Sequence, residues 1–113
     1  MKRAAALAAI AITLAPTAHA FPVVGGQGLT PAAWALANYI QDRYPGVQSI
    51  GGVRADPLPD HHSGRAIDIM VGTNMALGDT IYADLSSSKA AHQISYLIWR
   101  QANHLNHIHV TTL

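Results

Sequence analysis

Six of the seven histidines lie beyond residue 20, and four of them form two knots, His61-His62 and His107-Ile108-His109, with Asp68 just downstream of the first. Imidazoles and a carboxylate are ligands for a first-row metal, and this is the one cluster in the sequence that could carry chemistry. His107 and His109 are two residues apart in a strand-like segment, so both side chains project from one face, either as two ligands or as one ligand and one base. Asp68 lies in a second such segment, and His61 in the loop that feeds it. If the two strands are neighbours, His61, Asp68 and His109 converge. Two histidines and one carboxylate leave a fourth tetrahedral position open, the pattern of a catalytic rather than a structural zinc site. Taken singly, each residue has an ordinary reading: Asp68 paired with Arg65 or Arg54, Gly64 as a turn, His92 as a helix-end residue. The combination carries the inference.

The chain has 113 residues, no Cys and no Glu. Met1-Lys2-Arg3, the apolar run Ala4 to Leu14 and Ala18-His19-Ala20 have the layout of a secretory signal peptide cut near Ala20. An exported protein with no membrane span is expected, in the cell envelope or outside it. With Lys2 and Arg3 removed, five Lys/Arg face six Asp, a net charge of −1 that invites neither nucleic acid nor an anionic membrane. A small exported domain without disulfides gains from a bound metal. Magnesium and calcium favour all-oxygen shells and iron is a runner-up, so Zn2+ is the expected cofactor. The lack of Glu excludes an HExxH zinc peptidase.

One α+β domain is predicted, an antiparallel sheet with two helices packed on it, over residues 30–113 after a flexible Gly-rich lead-in at 21–29. Thr30-Pro31 reads as a helix start and Pro45-Gly46 as its end. Val47, Ile50 and Val53 suggest a short strand, with Gly51-Gly52 marking a bulge or a close backbone approach. Residues 54–64 read as loop. Ala66 to Val71 reads as a strand with Ala66, Asp68 and Met70 on one face. Asp79 is expected to cap a second helix running through Ile81, Leu85, Ser88 and His92. Ile94 to Trp99 and His107 to Thr111 read as strands.

His61-His62-Ser63-Gly64-Arg65-Ala66-Ile67-Asp68 fits HxxGxAxD, and with His107-Ile108-His109 it resembles the lysostaphin, D-Ala-D-Ala metallopeptidase and hedgehog-type zinc peptidase superfamily. The wording around the motifs is nearest to a branch of small secreted actinobacterial proteins of inferred function. The resemblance covers residues about 50–111. It implies that His61, Asp68 and His109 hold Zn2+ and that His107 acts as general base or as the imidazolium stabilising an oxyanion. The implied reaction is hydrolysis of an amide bond in peptidoglycan peptides; a silent, zinc-stabilised cell-wall-binding module is the alternative. Pro59 stands where the D-Ala-D-Ala peptidases carry a substrate-holding Ser, and His107 must replace their basic Glu. Arg54 is a candidate for a substrate carboxylate. Tyr96 and Trp99 are expected at rim and core, and His62 and His104 at the mouth of the site. A monomer is expected.

Overall fold

The computed structural model describes residues 21–113. The expected signal peptide, residues 1–20, lies outside the described residues. The elements run β1 (Val23–Val24), α1 (Pro31–Arg43), β2 (Ser49–Gly51), α2 (Pro59–His62), β3 (Ala66–Met70), α3 (Met75–Ser87), β4 (Ile94–Ile98) and β5 (His107–Thr112). The class is α+β, with one five-stranded sheet in the order β1-β2-β3-β5-β4. Three of its four pairings are antiparallel, and β1 pairs with β2 in parallel.

Local chemistry explains most boundaries. Thr30 caps α1 through its side-chain oxygen, which accepts the Ala33 N–H, and Pro31 fills the first helical position, where its missing donor costs nothing. Ala33, Leu36, Ala37 and Ile40 form the stripe that α1 buries. α3 begins earlier than expected, because Asn74 rather than Asp79 is its cap and accepts the Leu77 N–H. Asp79 sits one turn inside and instead accepts from Trp99 Nε1 and the Arg100 guanidinium. His92 lies beyond the helix and packs its ring on Tyr39.

Two further expectations are corrected. Residues 21–29 are part of the fold rather than a flexible lead-in: Phe21 and Leu29 are buried, and Val23–Val24 adds a strand to the sheet. Residues 54–64 contain the helical turn α2, a third helix begun by Pro59. The approach of the first segment to the others depends on glycine. Gly64 has φ +79°, and a Cβ there would overlap the Gly28 carbonyl; at Gly52 it would overlap the Gly25 carbonyl.

Strand alternation separates the two faces of the sheet. Ile50, Ile67, Ile69, Ile108 and Val110 are fully buried in the core that also contains the α1 stripe and Ile81 and Leu85 of α3. Residues one step out of phase, among them Asp68, His107 and His109, line the opposite face. The register between β4 and β5 shifts between Ile94 and Tyr96, so Ile94 faces Thr112 while Tyr96 faces Thr111. That bulge puts Ile94 in the core and Tyr96 beside the histidines.

Candidate metal centre

Three elements supply the site, and each placement follows from the local fold. Asp68 is the middle residue of β3, and the antiparallel register sets it directly opposite His109 of β5. α2 lies at the end of these strands and turns His61 inward at its last turn. All three are buried, with relative exposures of 2% for His61, 5% for Asp68 and 7% for His109. Together they form the one group among the described residues with the composition and spacing to hold a metal ion.

The contact atoms are His61 Nε2, His109 Nδ1 and Asp68 Oδ1, and each pair is 3.2 Å apart. The outer nitrogen of each ring is committed elsewhere. His61 Nδ1 is 3.0 Å from the Gly52 carbonyl, which can only accept, so the proton sits on Nδ1 and the Nε2 lone pair points into the triangle. His109 Nε2 is 2.8 Å from Thr111 Oγ1, leaving Nδ1 as the nitrogen that faces Asp68. Three electron-rich atoms thus converge on one point in a site nearly closed to water. Such a set is satisfied by a cation, and the residues present fit one.

Arg54 reaches Asp68 from outside, its Nη1 donating to Oδ2 at 2.5 Å while its Nη2 donates to Asp56 at 3.1 Å. This leaves Oδ1 for the triangle. Burial is the largest influence on the Asp68 carboxyl and pushes it up; in the absence of a cation, His109 and His61 rings that carry a second proton donate to it and, followed by Arg54, outweigh burial and hold the group well below the usual carboxylate range.

His107 stands beside the triangle, with Nε2 3.8 Å from Asp68 Oδ1 and Nδ1 2.8 Å from Asn106 Oδ1. Burial, opposed by Asp68 and assisted by His104 and His109, pushes its imidazole down from the ordinary histidine value, in the direction of the neutral form. The tight turn between β4 and β5 brings the His104 ring to 4.9 Å from that of His107. These residues open onto a cleft of about 270 Å³ whose walls include Tyr96 and Leu58. A larger cleft of about 670 Å³ adjoins it at Asn103 but is lined by no acid, base or metal ligand.

Of the residues singled out in the sequence, His61, Asp68 and His109 meet, His107 and His104 border them, and Arg54 is at the rim, engaged by two carboxylates. His62 is exposed and does not line the cleft. Trp99 is core, packed over Gly78, while Tyr96 is a wall residue, 39% exposed and stacked near His109. Arg65 pairs with Asp60 rather than with Asp68. Three participants carried no sequence signal strong enough to single them out: the Gly52 carbonyl, Thr111 and Asp60. Strand periodicity does place Thr111, two residues after His109, on the same face.

A family model described as VldE, C-terminal domain, matches residues 25–107. No curated protein and no solved structure shows significant similarity to the chain. The match covers α2 and β3, with His61 and Asp68, reaches His107 at the start of β5 and stops short of His109; it also includes residues 25–29 of the Gly-rich segment that the sequence suggested was a lead-in.

Proposed function

The chain belongs to the VldE C-terminal domain family; from the convergent triad and the sequence motifs we propose that it is an exported zinc-dependent hydrolase acting on an amide bond of cell-wall peptides. The observation that carries the reading is the triangle of three lone-pair donors, His61 Nε2, His109 Nδ1 and Asp68 Oδ1, with edges of 3.2 Å. A tetrahedral zinc ion with bonds of about 2.0–2.1 Å sets its donor atoms about 3.3–3.4 Å apart, close to the edges found here. Two neutral imidazoles and one carboxylate are a borderline-soft set that suits zinc better than magnesium or calcium. The resemblance of HxxGxAxD and HxH to the lysostaphin, D-Ala-D-Ala metallopeptidase and hedgehog-type superfamily supports both the metal and the substrate class.

Zinc bound there supplies an activated water near neutral pH and polarises the scissile carbonyl. The chain's own groups do the rest. His107 stands beside the triangle, its Nε2 3.8 Å from Asp68 Oδ1, which suits it to take a proton from the attacking water and hand it to the leaving amine. Arg54 fixes Asp68 through Oδ2, and the exposed Tyr96 and Leu58 give the cleft an amphipathic wall for a peptide.

A second reading, a silent zinc-stabilised binding module, is favoured by the way the ligands fasten three separate elements, α2, β3 and β5. The two part on turnover. Zinc in the purified chain is measured by elemental analysis beside Asp68→Ala, and muropeptide cleavage beside His107→Ala. About one zinc per chain, lost in Asp68→Ala, with cleavage lost in His107→Ala at full zinc content, is the expected result. Full zinc without cleavage of any wall peptide selects the binding module, and no zinc in the wild type overturns both.

A further inference from the structure

The Asp60–Thr111 pair is left over once ligands and base are assigned. Asp60 is 8% exposed and Thr111 1%. Neither belongs to the triangle, yet Thr111 Oγ1 lies 2.8 Å from His109 Nε2 on one side and 2.8 Å from Asp60 Oδ2 on the other. Tyr96 donates its hydroxyl to the same Oδ2, and Arg65 Nη2 donates to Oδ1 at 3.0 Å.

The directions of these bonds can be worked out from the donor inventory. An ionised carboxylate only accepts, so the single Thr111 proton goes to Asp60. The Thr111 oxygen can then only accept from the ring, which places the His109 proton on Nε2. We propose that Asp60 and Thr111 are positioning residues that set the tautomer of His109, keeping its Nδ1 lone pair aimed at the cation. A ligand histidine whose outer N–H is held in this way is a better and better-oriented donor. The link to zinc affinity rests on the zinc reading above, but the tautomer does not. The geometry adds a coupling: Tyr96, in the wall of the cleft, shares one carboxylate oxygen with the residue that orders the ligand.

Asp60→Asn keeps the shape and reverses the logic. Arg65 holds the amide oxygen at the Oδ1 position, which turns the NH2 toward Thr111 and Tyr96. In that variant Thr111 accepts from the side-chain amide and is free to donate to His109 Nε2, shifting the ring proton to Nδ1. The test is long-range 1H–15N NMR of the imidazoles at about pH 8, where free histidines are neutral, on the chelated and the zinc-loaded chain, together with zinc affinity by competition with a chromophoric chelator. In the wild type, His109 is expected as the Nε2–H tautomer with or without zinc. Asp60→Asn and Thr111→Val are expected to move it toward Nδ1–H or a mixture when chelated and to weaken zinc binding by about 10–100-fold. Thr111→Ser, which keeps the hydroxyl, retains both the wild-type tautomer and the affinity. A wild-type Nδ1–H tautomer, or unchanged tautomer and affinity in either variant, overturns the proposal. A chain that takes up no zinc overturns the hydrolase reading instead, and the chelated spectra still decide the tautomer.

Discussion

Asp68 and Asp84 are both carboxylates drawn out of water, on opposite sides of the sheet, and their surroundings differ in kind. Asp84 sits on α3 and ties it to α1: its Oδ2 accepts the hydroxyls of Tyr39 at 2.7 Å and Tyr44 at 2.5 Å, with Arg43 Nε at 3.8 Å. Burial, the largest influence, pushes its carboxyl up, but the two phenols and Arg43 outweigh it. Everything around Asp84 donates. At Asp68 only Arg54 is an obligate donor, and the oxygen facing inward meets two ring nitrogens whose protons are held elsewhere. A saturated carboxylate is a structural fastener, whereas one left among other acceptors is a binding site in waiting. Burial and depressed pKa, which the two share, do not distinguish them; the direction of the hydrogen bonds does.

The difference can be broken or sharpened by experiment. The largest effect is expected on chelation of the zinc-loaded chain, because a ligand at about a thousandfold excess over its Kd adds about 4 kcal/mol. For a domain of this size that is about 15–30 °C of melting temperature. Differential scanning fluorimetry should show this drop in the wild type and in Tyr44→Phe but not in Asp68→Ala. A chelation-insensitive wild type would remove the contrast between the two carboxylates. Next, Tyr44→Phe should cost about 1–3 kcal/mol in urea unfolding, the range for losing a hydrogen bond to a charged group, with zinc content unchanged.

A smaller effect is expected in alkali. Burial, then the bond to Asp84, pushes the Tyr44 phenol up from 10.0 to about 12. A raised folded-state pKa means that its contribution to stability is intact below about pH 10 and is lost as pH climbs towards 12. The urea midpoint should therefore fall across that window more steeply in the wild type than in Tyr44→Phe. The smallest change is reserved for Arg43→Ala. Its guanidinium is largely exposed and 3.8 Å from Asp84, so the variant should lie within about 1 kcal/mol of wild type.

What could be read from the residues alone follows the range of the forces involved. The α+β class, α1 with its Thr30 cap, and strands β3, β4 and β5 rest on periodicity and capping, which are local. The convergence of His61, Asp68 and His109 was legible for the same reason, since period-two alternation fixes the face of Asp68 and His109 and the motif flags His61. The start of α3 was misjudged because both Asn74 and Asp79 are capping types, and only the contacts of Trp99 and Arg100 with Asp79 decide between them. β1 was missed because Val23–Val24 is a strand only through its parallel pairing with β2, which needs Gly52 to let Gly25 approach. α2 is hidden in a Pro/Asp/Gly-rich stretch whose composition suits a loop. Asp60 and Thr111 act through a bond between β5 and that turn, a relation with no sequence period.

The shift in register between β4 and β5 has a consequence for how this site should be mutated. Ser95, the residue passed over between Ile94 and Tyr96, is exposed, and no hydrogen bond of its side chain is part of the site. Replacing it should change little, so a substitution scan of β4 would rank it as dispensable. Its contribution is to the count of residues: as the extra residue of the bulge it lets Ile94 and Tyr96, two positions apart, face opposite sides of the sheet, paired with Thr112 and Thr111. A one-residue deletion at this position would leave Ile94 opposite Thr112 and Tyr96 opposite Thr111 in a regular ladder, each on its present face, so any change in the cleft wall would report what the local bend of the bulge adds.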